Sequence, residues 1–153
     1  MTPPAVIIRL PLAAHEVPDL REAVGWDRHA WAYPQLLERV LFWAGARDAA
    51  GRLIAFAYVA GTGLPHGYLE DVMVHPAWQR RGLGTRLAQA LLREAELRQV
   101  GIVTVTFQPE HRAFYEACGF RWCNGGLWRL DSDGISPGRE AYVPGQAGPR
   151  TSD

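Results

Sequence analysis

The stretch from Tyr68 to Gln99 constrains the fold more than any other part of this 153-residue chain. Tyr68 to Val74 is short, apolar and β-branched, and it stops at His75-Pro76, as a strand end does. Gln79-Arg80-Arg81-Gly82-Leu83-Gly84 follows as a tight loop. From Thr85 to Gln99, Leu87, Ala88, Leu91 and Leu92 continue a stripe begun by Leu83, which predicts a helix with one buried face. Because that helix starts directly after the glycines, free backbone N–H groups converge at its N-terminus with little side-chain obstruction. With the positive end of the helix dipole behind them, they predict an anion site suited to a phosphate or pyrophosphate. Arg80, Arg81 and Arg86 add formal positive charge around that spot.

Two nucleotide motifs do not fit. A P-loop needs Gly-Lys-Ser/Thr, and the chain has no lysine. A dinucleotide fingerprint needs a third small residue near Leu87, and its strand belongs to an early βαβ unit. Gln79-x-x-Gly82-x-Gly84, preceded by Val72-Met-Val-His-Pro-Ala-Trp, instead resembles the acetyl-CoA loop of the GNAT superfamily of N-acetyltransferases. A second block, Phe114-Tyr115-Glu116-Ala117-Cys118-Gly119-Phe120, resembles that family's Phe-Tyr-Glu-x-x-Gly-Phe segment. The Glu70-Asp71 pair before the loop is similar to that of glucosamine-phosphate N-acetyltransferases.

The length suits one domain with a proper core. Hydrophobic residues make up 48% and charged residues 21%, as in an ordinary globular protein. Acids and bases balance at 16 each, so no global field calls for nucleic acid or an anionic membrane. All the bases are arginine, which removes lysine nucleophiles and Schiff bases. No apolar run approaches a membrane span, and the start lacks a signal-peptide core. Cys118 and Cys123 are too few for a disulfide framework or a zinc site, so a reducing cytoplasm without a metal cofactor is the expectation.

Along the chain, Val6–Leu10 reads as a strand, and Pro18 sits in the first turn of a helix that runs to Val24. An aromatic connector from Gly25 leads to Pro34 and a second helix through Leu41. Phe42–Arg47 and Leu53–Ala60 are strands around an Asp48–Gly51 turn, the latter apolar enough to be central. Ile102–Phe107 follows the long helix as a parallel crossover requires. His111–Cys118 is a short helix ended by Gly119, and Phe120–Cys123 and Leu127–Leu130 form a last strand pair. The order is β-α-α-β-β-β-α-β-α-β-β, an α/β single domain over 1–130. Residues 131–153 shift to Gly, Pro and charge and read as a tail without its own core.

The resemblance implies a GNAT fold with a mixed sheet, splayed between the strand before the loop and the strand after the long helix. It implies acetyl-CoA in the splay, with Val72, Met73 and Val74 as backbone partners of pantetheine. Gln79, Arg80, Arg81, Gly82, Leu83, Gly84 and Thr85 would surround the pyrophosphate. Either Glu70 or Asp71 could take the proton of the attacking amine. Neighbouring strand residues face opposite sides, so without a bulge only one of them faces a substrate, and Glu70 is preferred. Tyr115 becomes the general acid toward the leaving thiolate; its ordinary alternative is a core tyrosine. Trp26, Trp31 and Tyr33 border the acceptor site, while Trp43, Trp78, Trp122 and Trp128 read as core or rim. The expected partner is a small-molecule amine, and a homodimer is compatible with the resemblance. A CoA-binding sensor without turnover and a peptide N-acetyltransferase are the alternatives.

Overall fold

The computed structural model describes residues 2–126. The chain divides into two compact units, Met1–Val105 and Thr106–Asp153.

The first unit is built from β1 (Val6–Ile8), α1 (Glu16–Ala23), α2 (Gln35–Arg39), β2 (Phe42–Arg47), β3 (Leu53–Gly61), β4 (His66–Val74), α3 (Leu83–Leu97) and β5 (Ile102–Val105). The strands lie in the order β1-β2-β3-β4-β5. All neighbours are antiparallel except β4 and β5. That exception follows from connectivity, because a parallel pair needs a long crossover and α3 supplies it. The β2–β3 hairpin is closed by Asp48, whose carboxylate accepts the N–H groups of Ala50 and Arg52 at 3.0 and 2.9 Å.

β3 is buried throughout from Leu53 to Val59, as expected of a central strand covered on both faces. One face carries a cluster of Leu10, Val17, Leu20, Tyr33, Leu53, Phe56, Tyr58 and Met73, to which α1 contributes two side chains. None of the α3 leucines belongs to it. Leu83, Leu87, Ala88, Leu91 and Ala95 are buried against the opposite face, the i, i+4 stripe expected of that helix.

The second unit begins with a 3₁₀ turn (Pro109–His111) and a short helix, α4 (Arg112–Ala117), after which Gly119 takes a φ of 108°. Tyr115 is buried and stacks on Phe107 with centroids 4.8 Å apart, and Phe120 meets it edge-on at 5.8 Å.

Some expectations need correction. α3 starts at Leu83 rather than Thr85, so Gly84 lies inside its first turn. β1, β5 and α2 are shorter than the sequence suggests, because element ends fray where pairing stops. Phe120–Cys123 forms no strand; there Trp122 packs on Phe107 at 6.0 Å and carries the Arg112 guanidinium at 4.8 Å. Its expected partner Leu127–Leu130, Trp128 and the segment 131–153 lie outside the described residues. Among the described residues no helix is long and apolar enough to cross a membrane.

Candidate active site

The register of β4 on β3 sets the site. Phe56 pairs with Met73 and Tyr58 with Glu70, so Asp71 and Val72 together oppose Ala57 alone. This is a β-bulge, with Asp71 in the left-handed region at φ 52°. Its effect is to turn two successive carboxylates toward the α1 face. Glu70 accepts a short hydrogen bond from the Tyr58 hydroxyl. Asp71 Oδ2 accepts from Arg21 Nη1 at 2.5 Å and from the Tyr33 hydroxyl at 2.6 Å.

The two carboxylates therefore differ chemically. Asp71 is ion-paired to a buried guanidinium. Glu70 keeps surface open to solvent, but the protein mass around its carboxyl raises its pKa above the ordinary carboxylate value. The Tyr58 hydrogen bond opposes that rise and the Asp71 charge adds to it. A carboxylate raised in this way holds a proton more readily than an ordinary one. Burial and the adjacent carboxylates push the Tyr58 and Tyr33 phenols far up, so both remain hydrogen-bond donors.

Beyond Leu69, β4 parts from β5. The ladder joins only His66–Leu69 to Ile102–Val105, and the following β4 residues have β3 alone as a partner among the described residues. This open edge, with Val72, Met73 and Val74, leads into the loop. Gln79 Nε2 donates to the Val74 carbonyl at 2.9 Å and ties the loop to the strand end.

At the start of α3, Gly82 is the N-cap with φ 75°. The first helical bond runs from Arg86 N–H to the Gly82 carbonyl at 3.1 Å, so the N–H groups of Leu83, Gly84 and Thr85 precede it. No side chain caps them and no acid stands in the first turn. A Cβ on Gly82 would meet nothing within 4 Å, so the approach is open. The donor set fits a pyrophosphate. The surrounding charge is smaller than expected: Arg86 reaches away to the Pro4 carbonyl at 2.9 Å, and Arg81 stacks over Trp78 at 5.2 Å. Arg80 is exposed beside the terminus with φ 63°. Leu83 turns its side chain into the core and leaves only its backbone to an anion.

Trp26, Trp31 and Tyr33 separate in role. Tyr33 is buried on Asp71, Trp26 lies under the Arg21 guanidinium at 5.3 Å, and Trp31 is 79% exposed. Tyr115 lies in the aromatic cluster of the second unit.

Residues 10–120 match the model of the Acetyltransferase (GNAT) family. The chain belongs to the GNAT acetyltransferase family. Its splayed sheet and glycine-capped helix are thus those of the GNAT fold. It is 31% identical to an aminoglycoside N(6')-acetyltransferase type 1 of Stenotrophomonas maltophilia, over 67% of this chain and 86% of that one. It is 38% identical to serotonin N-acetyltransferase 2 of Oryza sativa, over 49% of this chain and 38% of that one. Glucosamine-6-phosphate N-acetyltransferase from Arabidopsis thaliana superposes with a TM-score of 0.67 at 16% identity, covering 82% and 98% of the two chains. A GNAT family N-acetyltransferase from Escherichia coli in complex with CoA superposes with a TM-score of 0.60 at 19% identity, covering 77% and 68%. Several curated relatives are longer proteins, of whose length the chain spans between 12% and 63%.

Arg21 and Tyr58 did not emerge from the motifs of this GNAT sequence. Arg21 nonetheless carries a signal: it occupies a core position of the α1 stripe Val17, Leu20, Arg21, Val24, where a charge must find a partner. Tyr58 similarly brings a hydroxyl into the buried run of β3.

Proposed function

We propose that this GNAT protein moves an acetyl group from acetyl-CoA to the primary amine of a small molecule by direct attack. The observation that carries the reading is the bulge at Asp71, which turns Glu70 and Asp71 to one face and leaves Glu70 with a raised pKa and a neutral phenol as partner. The names of the relatives support it, since a serotonin and an aminoglycoside N-acetyltransferase both act on amines.

Acetyl-CoA, when bound, supplies an acetyl group already activated as a thioester. The backbone N–H groups of Leu83, Gly84 and Thr85 hold the pyrophosphate past Gly82, with Arg80 and Arg81 flanking. Gln79 braces the strand end, and the open edge of Val72, Met73 and Val74 offers backbone partners to pantetheine. Trp31, with Trp26 and Tyr33 behind it, borders the acceptor.

An amine arrives as an ammonium ion and must lose a proton before it attacks. Glu70 takes that proton. The nitrogen lone pair then forms the C–N bond as the C–S bond breaks, and the departing sulfur receives a proton from the Tyr115 hydroxyl. The amide nitrogen loses its second proton, which restores the Tyr115 hydroxyl by way of solvent, and Glu70 passes its own proton to solvent, so the products are the amide, the free thiol and one released proton.

Thiol release measured over a panel of amines tests this reading. Glu70→Gln should lower kcat/KM for the accepted amine by roughly 10²–10⁴ while acetyl-CoA affinity holds. The absence of thiol release with every amine of the panel would make the chain a CoA-binding protein without turnover. Normal turnover in Glu70→Gln would take the base role from Glu70.

A further inference from the structure

Among the described residues of the first unit Arg21 is the buried charge, 7% exposed, and its guanidinium is held at three points. Nη1 donates to Asp71 Oδ2 at 2.5 Å, Nε donates to the Asp27 carbonyl at 2.6 Å, and the guanidinium lies over Trp26 at 5.3 Å. One side chain of α1 therefore joins the bulge of β4 to the connector carrying Trp26 and Trp31. Tyr33, from the end of that connector, donates to the same Asp71 oxygen at 2.6 Å. Asp71 Oδ1 accepts no hydrogen bond among the described residues, and the side chain is 19% exposed. Asp71 also holds a φ of 52°, a left-handed conformation uncommon for residues with a Cβ, which its bonds to Arg21 and Tyr33 help to hold.

We propose that Arg21 is a positioning residue that, with Tyr33, locks Asp71 into the bulge, so that Asp71 orients the acceptor's ammonium through Oδ1 while Glu70 alone carries its proton away. The inference rests on the proposed amine acetylation and divides the labour within it. The groups facing Glu70 are Tyr58 from β3, Asp71 from its own strand and Arg21 from α1, while Tyr33 from the connector reaches Asp71. Without the guanidinium, two carboxylates would face one another with only phenols between them, and each would disfavour the other's ionisation. With it, Asp71 is balanced and Glu70 remains the one carboxylate of the pair without a cationic partner. A lysine could supply the charge, but not the fork that reaches Asp71 and the Asp27 carbonyl together.

The test combines the pH profile of kcat/KM, KM for the amine, and ¹³C titration of the Glu70 carboxyl in the free protein. Arg21→Gln should move the acidic limb and the Glu70 titration upward by about one pH unit. It should also raise amine KM roughly tenfold, leaving KM for acetyl-CoA within a few-fold. Arg21→Lys should restore the limb but not the KM. Tyr33→Phe should raise amine KM a few-fold and leave the limb in place. If Arg21→Gln fails to fold, Arg21→Lys and Tyr33→Phe decide, and an unchanged amine KM in both overturns the proposal. An unchanged limb and Glu70 titration in a folded Arg21→Gln also overturn it. Glu70→Gln separates the two levels. Retained turnover there removes the base reading itself, whereas an inactive Glu70→Gln beside a wild-type-like Arg21→Gln removes only the positioning role.

Discussion

Glu70 and Met73 share one face of β4 although a regular strand would set residues at that odd spacing on opposite sides. Met73 pairs with Phe56 and Glu70 with Tyr58, and Phe56 and Tyr58 point the same way two residues apart on β3. The extra residue at Asp71–Val72 makes this compatible. It lets β4 bury Met73 in the α1-side core while presenting both Glu70 and Asp71 beside it.

Glu70 should reduce stability when it is ionised. Its carboxyl binds a proton more tightly in the folded protein than in the unfolded chain, whose reference value is 4.5. Its contribution is thus fully present below that value and is lost as pH rises through the raised one. Glu70→Gln should leave the melting temperature unchanged near pH 4 and raise it at pH 8, while activity falls. Equal melting shifts at both pH values would contradict the raised pKa of Glu70.

Glu16 should behave in the opposite sense. Arg47 grips both its oxygens, Nη2 reaching Oε2 at 2.8 Å, and this fork lowers the Glu16 pKa below 4.5. That stability is present above the unfolded value and is lost as pH falls through the lowered one. Glu16→Gln should cost about 1 kcal/mol at pH 7 by denaturant unfolding, and the difference should vanish in acid. A cost that persists undiminished in acid would mean that packing, not the ion pair, is responsible.

The two loop glycines should separate by substitution. Gly82 carries the left-handed φ of 75° at the open mouth of the terminus, so Gly82→Val adds both strain and obstruction. Acetyl-CoA affinity should fall at least ~tenfold, about 1.4 kcal/mol, by calorimetry. Gly84 lies within α3, where Ala is the better helix former by about 1 kcal/mol. Gly84→Ala should therefore raise the melting temperature of the free protein. A stabilised Gly82→Val with intact affinity would place the anion elsewhere.

Tyr115→Phe should keep the stack on Phe107 and remove only the hydroxyl. A drop in kcat of roughly 10²–10⁴, with acetyl-CoA affinity within a few-fold, is expected if the phenol protonates the leaving sulfur. Near-normal turnover at every pH would make the residue part of the aromatic core alone.

Trp31→Ala should raise KM for the amine and spare KM for acetyl-CoA. At 79% exposure the ring contributes little to folding, so stability should change by less than about 0.5 kcal/mol. Equal effects on both substrates would remove Trp31 from the acceptor side.

The strand, loop and helix around Gly82 were legible in the residues because their determinants are local: apolar periodicity, a glycine cap, a proline stop. The parallel pairing of β5 followed from the length of the crossover, and the family from two short blocks. The bulge was not legible, because it is a property of the register between β3 and β4, and no residue type at 70–72 announces it. Without that register, Glu70 and Asp71 read as alternatives on opposite faces. Nor could the sequence join Arg21 to Asp71, fifty residues apart. A charge on the α1 stripe requires a partner, but only the docking of α1 on the β3–β4 face decides which carboxylate meets it. Local chemistry specified the parts, and long-range packing determined which oxygen each buried donor reaches.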